Sequence, residues 1–220
     1  MSKPRGRPRA YDPEQVLERA LCAFWKGGYS GTSLDTLATA TGLNRPSLYA
    51  GLGDKRTIYL KAMRRFQERA RVHFCAALAP QPGDQRLTDV IARYLQAAID
   101  VDGPQEDIDV SGCAVISTAT AEALTDPAIK QVLEDVLAEM DEQLRNYLKN
   151  AQRSGVLRRD ADVDALAFLM SATAHSIGIR ARAGRSKAEL ERMLQGLAQA
   201  LYPFDAEPSA SSSAHQQDRA

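Results

Sequence analysis

The chain has 220 residues, 44% hydrophobic and 25% charged, with 28 Lys+Arg against 28 Asp+Glu, a composition ordinary for a globular protein. Residues 1–65 hold twelve basic and five acidic side chains, so a basic N-terminal third sits on an acidic body, which points to a polyanion-binding module joined to something else. No apolar run nears the ~20 residues of a membrane span, no signal peptide follows the basic start, and Cys22, Cys75 and Cys113 make neither a disulfide framework nor a CxxC site; a cytoplasmic protein is expected.

Residues 1–11, with Arg5, Arg7 and Arg9 among Gly and Pro, form a basic flexible arm. Such arginines either enter a narrow minor groove or stay a solvated tail. Asp12-Pro13-Glu14-Gln15 starts a helix with an N-cap Asp, a first-turn Pro and a Gln. Val16, Leu17, Ala20, Leu21, Phe24 and Trp25 line one face and Gly27-Gly28 ends it. Phe24 and Trp25 are expected to pack under the two short helices that follow. Tyr29 is expected to fill the corner between the first helix and the second.

Those short helices lie in residues 32–55. Thr32 and Asp35 stand in the [ST]-x-x-[DE] relation of a capping box. Leu34, Leu37 and Ala38 give the helix an apolar face. Gly42 stops it, because the residue ending a helix often needs positive φ. Asn44 caps the next helix, and Pro46 occupies its first turn, where a missing N–H costs nothing. Helix, glycine turn and second short helix describe a DNA-binding helix-turn-helix. The residues placed against base edges are Asn44, Arg45, Pro46 and Ser47, with Tyr49 one turn on; Arg suits guanine and Ser several bases.

Phe24-Trp25-Lys26-Gly27-Gly28-Tyr29, Thr32-Ser33-Leu34, Leu37-Ala38, Gly42-Leu43, Ser47-Leu48-Tyr49 and Gly53-Asp54-Lys55 together resemble the DNA-binding domain of the TetR (tetracycline repressor) family over residues 12–65. Pro46 departs from the family pattern, where a smaller residue is common, and alters how closely the backbone nears DNA. The resemblance implies that Arg45 and Ser47 read bases. It implies that Thr32, Tyr49 and Lys55 hold phosphates, Lys55 with help from the fourth helix's dipole. It also implies a homodimer on palindromic double-stranded operator DNA and a small-molecule effector of unknown identity that releases it.

From Asp54 the pattern is helical to about Leu78, with Arg64, Arg65, Arg69 and Arg71 as a solvated face, until Pro80-Gln81-Pro82-Gly83-Asp84 breaks it. Residues 87–101 read as an amphipathic helix, 102–107 as an acidic loop, and 110–124 as a small-residue apolar segment. Asp126-Pro127 caps a helix ending near Ser154-Gly155. Asp162 opens another through Arg182, apolar nearly all round and therefore buried on nearly every side. Ser186…Glu189 is a capping box for a last helix. Residues 203–220, rich in Ser and Ala, read as disordered. The fold class is all-α: a basic arm, a three-helix helix-turn-helix domain at 12–54, and a helical effector-binding and dimerisation domain at 55–202.

No HExxH, GxSxG, P-loop or DxDxDG loop occurs, so no enzyme, metal or cofactor is expected. Two C-terminal helices can pair with their copies as a four-helix interface. Its candidates are Leu166, Leu169, Met170, Thr173 and Ile177 on one helix and Leu190, Met193, Leu194 and Leu197 on the other. Tyr94, Cys113, Tyr147 and His175 are the effector-pocket candidates. His175 is either a satisfied core histidine or a ligand contact. Cys113 is either a small buried side chain or, near a helix start, a thiol sensing electrophiles or oxidants, although Asp107 and Asp109 oppose a thiolate. The rivals to a regulator are a helical enzyme and a non-specific architectural DNA binder.

Overall fold

A computed structural model of the chain describes residues 11–81, 84, 86–100 and 112–201. The arm with Arg5, Arg7 and Arg9, the acidic loop at 102–107 and the tail at 203–220 lie outside them. The described residues form nine α-helices: α1 Pro13–Gly31, α2 Leu34–Thr41, α3 Arg45–Leu52, α4 Lys55–Leu78, α5 Leu87–Asp100, α6 Ala114–Ala119, α7 Pro127–Ser154, α8 Val163–Arg182 and α9 Lys187–Leu201, with a 3₁₀ turn at Glu122–Leu124. Each predicted helix is present, and none among the described residues is long and apolar enough to cross a membrane.

The helix ends follow the local chemistry read from the sequence. Carboxylates of Asp12, Asp54, Asp126 and Asp162 cap α1, α4, α7 and α8 by accepting first-turn N–H groups. Ser186 and Glu189 cap α9 reciprocally, at 3.0 Å and 3.3 Å. Gly42 ends α2 at φ 72°, the left-handed conformation a β-carbon would disfavour. Thr32 does not cap α2: neighbouring Ser33 does, accepting from the Thr36 N–H at 3.0 Å.

Phe24 and Trp25 pack against α4, in one core cluster with Leu37 and Leu48 of the short helices. The Phe24 ring meets Tyr59 edge-on at 5.1 Å, and Trp25 meets Phe66 at the same distance. Tyr29 joins this aromatic cluster through Tyr59 at 4.9 Å. The boundary drawn between 54 and 55 therefore cuts through a core: the first half of α4 completes the head, and its second half packs into the body against α5 and α7. The arginines of α4 are mostly not a solvated face. Arg65 pairs with Glu14 and Glu18, Arg69 with Glu18, and Arg71 with Glu68 and Glu139, so α1 is held to α4 by charge on one side and aromatics on the other.

Candidate nucleic-acid interface

The edge formed by α2, its turn and the start of α3 is built by caps. Asn44 Oδ1 accepts the Ser47 N–H at 2.9 Å, and Pro46 needs no such partner. This fixes the first turn of α3 while Leu48 and Leu52 are buried in the head. With that face committed inward, Arg45 and Tyr49, one turn apart, project outward; Tyr49 is 50% exposed. Asn44 and Pro46 are exposed beside them and Ser47 is half-buried. Five of the sequence candidates thus share one end of one helix, a placement suited to base edges and phosphates.

Arg45 is not a free cation. Its Nε donates to Asp35 Oδ1 at 2.7 Å and its Nη2 to Oδ2; each group is held further toward its charged form by the other. Lys55 begins α4 with its ammonium 4.5 Å from the centre of the Tyr29 ring. Thr32 departs from expectation. It is 1% exposed, and its hydroxyl donates to the Gly28 and Ala23 carbonyls at 2.7 Å and 3.2 Å, so it locks the end of α1 and its hydroxyl offers nothing to a phosphate.

Polar contacts on α6 and at the start of α7 tie the head to the body. Arg56 makes two bonds to Asp126, at 2.5 Å and 2.8 Å, and the guanidinium holds that carboxyl down to about 2. Ser30 donates to Glu122 at 2.5 Å. The Thr118 hydroxyl donates to the Ala114 carbonyl at 2.7 Å, so the buried Tyr59 hydroxyl 2.7 Å away is its donor; burial pushes that phenol up to about 12.

Inside the body, α4, α5, α7 and α8 and the start of α6 enclose a cavity of ≈ 40 Å³, room for little more than one water. Its wall is mostly apolar, with Phe66, Ala70, Phe74, Val136, Met140 and Ala174; Gln67, Glu139, Gln143 and His175 supply polar groups. Two pocket candidates are here and two are not. Cys113 and His175 line the cavity, whereas Tyr94 lies behind Phe74, ring centres 5.0 Å apart, and Tyr147 borders a separate groove with Leu78 and Asn150. His175 Nε2 lies 3.2 Å from Met140 Sδ, and burial lowers its pKa. Burial also pushes the Cys113 thiol up to about 11, outweighing the α6 N–H groups beside it, which is the behaviour of a packed side chain rather than a reactive thiolate. Gly112 is seated against Gly178 of α8: a β-carbon there would lie 2.4 Å from the Gly178 carbonyl oxygen.

The expected interface list divides. Leu166, Met170, Ile177, Leu190 and Leu194 are all buried in this chain's own core, because the stripe that faces α5 and α7 is as apolar as the stripe that does not. Leu169 and Met193 are exposed, and Thr173 and Leu197 partly so. The sequence reading left out Phe168, 70% exposed, and Ile179. Their signal was available: large apolar residues lying off the inward stripe of a helix that has no other reason to carry them.

A helix-turn-helix head on an all-helical body defines a two-unit DNA-binding regulator by its fold. Residues 83–197 match the Tetracyclin repressor-like, C-terminal domain, just over half of the chain, and the chain belongs to the TetR family of transcription regulators; it is not an enzyme. The repressor ComR of Escherichia coli K12 is 28% identical over 207 residues, covering 92% of this chain and 94% of ComR. A TetR transcriptional regulator from Chloroflexus aurantiacus J-10-FL shares 26% identity and superimposes with a TM-score of 0.76 over 89% of this chain and 96% of that one. CifR, solved with its 26-bp double-strand operator DNA, has the same fold at 24% identity and a TM-score of 0.76, covering 89% and 99%.

Proposed function

We propose that the protein is a repressor that binds palindromic operator DNA as a homodimer and is released by a small-molecule effector. The observation carrying this reading is the exposed edge of Asn44, Arg45, Pro46 and Tyr49, with the half-buried Ser47 among them, on a helix whose Leu48 and Leu52 are buried. Arg45 and Ser47 read bases in the major groove, and Tyr49 and Lys55 hold phosphates, with the arm Arg5, Arg7 and Arg9 reaching the adjacent minor groove.

The dimer supports this reading through Phe168, Leu169, Ile179 and Met193, which leave an apolar face on α8 and α9 uncovered in the single chain. A second copy covers it and sets the two heads ~34–36 Å apart, the spacing of successive major grooves. The effector fills the α4–α8 cavity, which must enlarge to admit it. A ligand favouring the enlarged state shifts the population toward heads that no longer match both grooves. The fixed links at Tyr59–Thr118 and Arg56–Asp126 carry α6 and α7 movements to α4.

Selection of duplexes from a random pool by the purified protein tests the proposal. A palindromic consensus bound by one dimer, and lost on adding an effector found by thermal-shift screening, is expected. Equal affinity for all duplexes at every salt concentration overturns it in favour of a non-specific architectural binder.

A further inference from the structure

The edge that meets DNA carries a carboxylate, Asp35, which its proposed role does not explain. Asp35 sits in the first turn of α2, not on the reading helix, and is 71% exposed; its partner Arg45 is 54% exposed. An ion pair this open adds little to stability, so the fold gains little from pairing the two. A negative charge beside a bound polyanion is a cost. Something must offset it.

The atoms engaged indicate what. Asp35 grips the guanidinium side-on, through Nε and Nη2. Arginine carries five N–H groups in one plane, so this grip leaves the end-on edge, one N–H on Nη1 and one on Nη2, unused by Asp35. That parallel pair matches O6 and N7 of guanine. We infer that Asp35 is a positioning residue that sets Arg45 end-on for a guanine in each half-site. This rests on the operator-binding reading above.

Two physical consequences make the arrangement selective. A free arginine on a short helix can swing to the nearest phosphate, which carries no sequence information. With its side edge held by Asp35, Arg45 keeps one direction. Water excluded at the DNA surface also lowers the local dielectric, so a pair that is weak in the free protein tightens in the complex. A sequence lacking guanine at that position then leaves the end-on N–H groups unpaired next to a fixed carboxylate, and that mismatch is penalised.

The test is duplex selection with the full-length protein, its Asp35→Ala, Asp35→Asn and Arg45→Ala variants, and the Asp35→Ala/Arg45→Ala double variant. The native protein is expected to enrich a site with a guanine at one position per half-site, and Arg45→Ala to lose preference there. Both Asp35 variants should weaken the guanine preference at that same position by about tenfold, within the range a bidentate arginine–guanine contact supplies, while binding random duplex as well or better. The double variant should match Arg45→Ala. Asp35→Asn keeps the side-chain size, so a loss shared by both Asp35 variants is not a defect in α2. If the native protein selects a site and the Asp35 variants keep its guanine, or lose preference elsewhere, the inference is wrong and operator binding stands. A native protein that selects no sequence overturns both.

Discussion

α3 and α8 each leave one face unfilled, and the two faces differ in chemistry. α3 is short, capped at its start and anchored by Leu48 and Leu52, and what it leaves outside is Arg45, Pro46 and Tyr49 with the Ser47 and Asn44 polar groups at their side. α8 runs through the body with Leu166, Met170 and Ile177 inside, and what it leaves outside is Phe168, Leu169 and Ile179. Hydrogen-bonding groups held on a fixed backbone suit base edges and phosphates. Large aliphatic and aromatic groups suit only another apolar surface. The face that stays open thus names the class of partner, whereas the buried faces, alike in both helices, name nothing.

Placing a charge on the apolar face is the strongest way to break this contrast. Phe168→Glu is expected to give a folded monomer by light scattering and to lower operator affinity by about a hundredfold or more, since two linked heads gain that much over one. A dimer that persists in Phe168→Glu would move the pairing surface elsewhere. The next largest effect separates the faces of α3 itself. Leu48→Ala should lose ~2–5 kcal/mol of stability. Tyr49→Ala should leave the melting curve nearly unchanged and weaken DNA binding. Equal stability losses in the two would mean that Tyr49 packs rather than projects.

A smaller effect divides the edge into reading and holding groups. Arg45→Ala should relax the base preference by ~1–3 kcal/mol, while Lys55→Ala should weaken every duplex alike and reduce the salt dependence by about one phosphate. The Lys55 ammonium is already engaged over the Tyr29 ring, so its contribution is expected to be the lesser. Identical operator affinities for the two variants would contradict this assignment.

What could be read from the sequence was local. Gly42, Asn44 and Pro46 act within a few residues of themselves, and the α2–turn–α3 unit follows from them. The misplaced α2 cap shows the limit: Thr32 and Ser33 are adjacent hydroxyls, and only the Gly28 and Ala23 carbonyls, supplied by another helix, decide which one turns inward. The same limit explains Arg65 and Arg69, whose partners Glu14 and Glu18 lie on another helix, far away in sequence. It also explains the interface list. Periodicity finds the apolar stripes of α8 but cannot say which stripe meets α5 and α7 and which meets nothing. Tyr94 and Tyr147 lie off the α4–α8 cavity, because a cavity is a property of several packed helices that no local pattern announces.

The smallest expected effect contrasts the interior with the edge by pH. At the edge, Arg45 and Asp35 are exposed and keep their charges across the neutral range. In the cavity wall His175 has its pKa lowered, chiefly by burial, with the Asp141 charge opposing. A base depressed in the folded state binds its proton first in the unfolded chain, so stability should fall as pH drops through the ordinary value of 6.5 and level off below the folded pKa. Above that window His175 should contribute no pH dependence. His175→Gln should abolish this slope, and Asp141→Asn, which removes the opposing charge, should widen the window toward lower pH. Melting temperatures of the three proteins between pH 8 and pH 5, a range spanning about one unit or more on each side of a histidine's ordinary value, measure it. A native protein whose pH profile matches that of His175→Gln would mean that the ring is solvated in the folded state, and that the wall of the cavity on α8 is open to water.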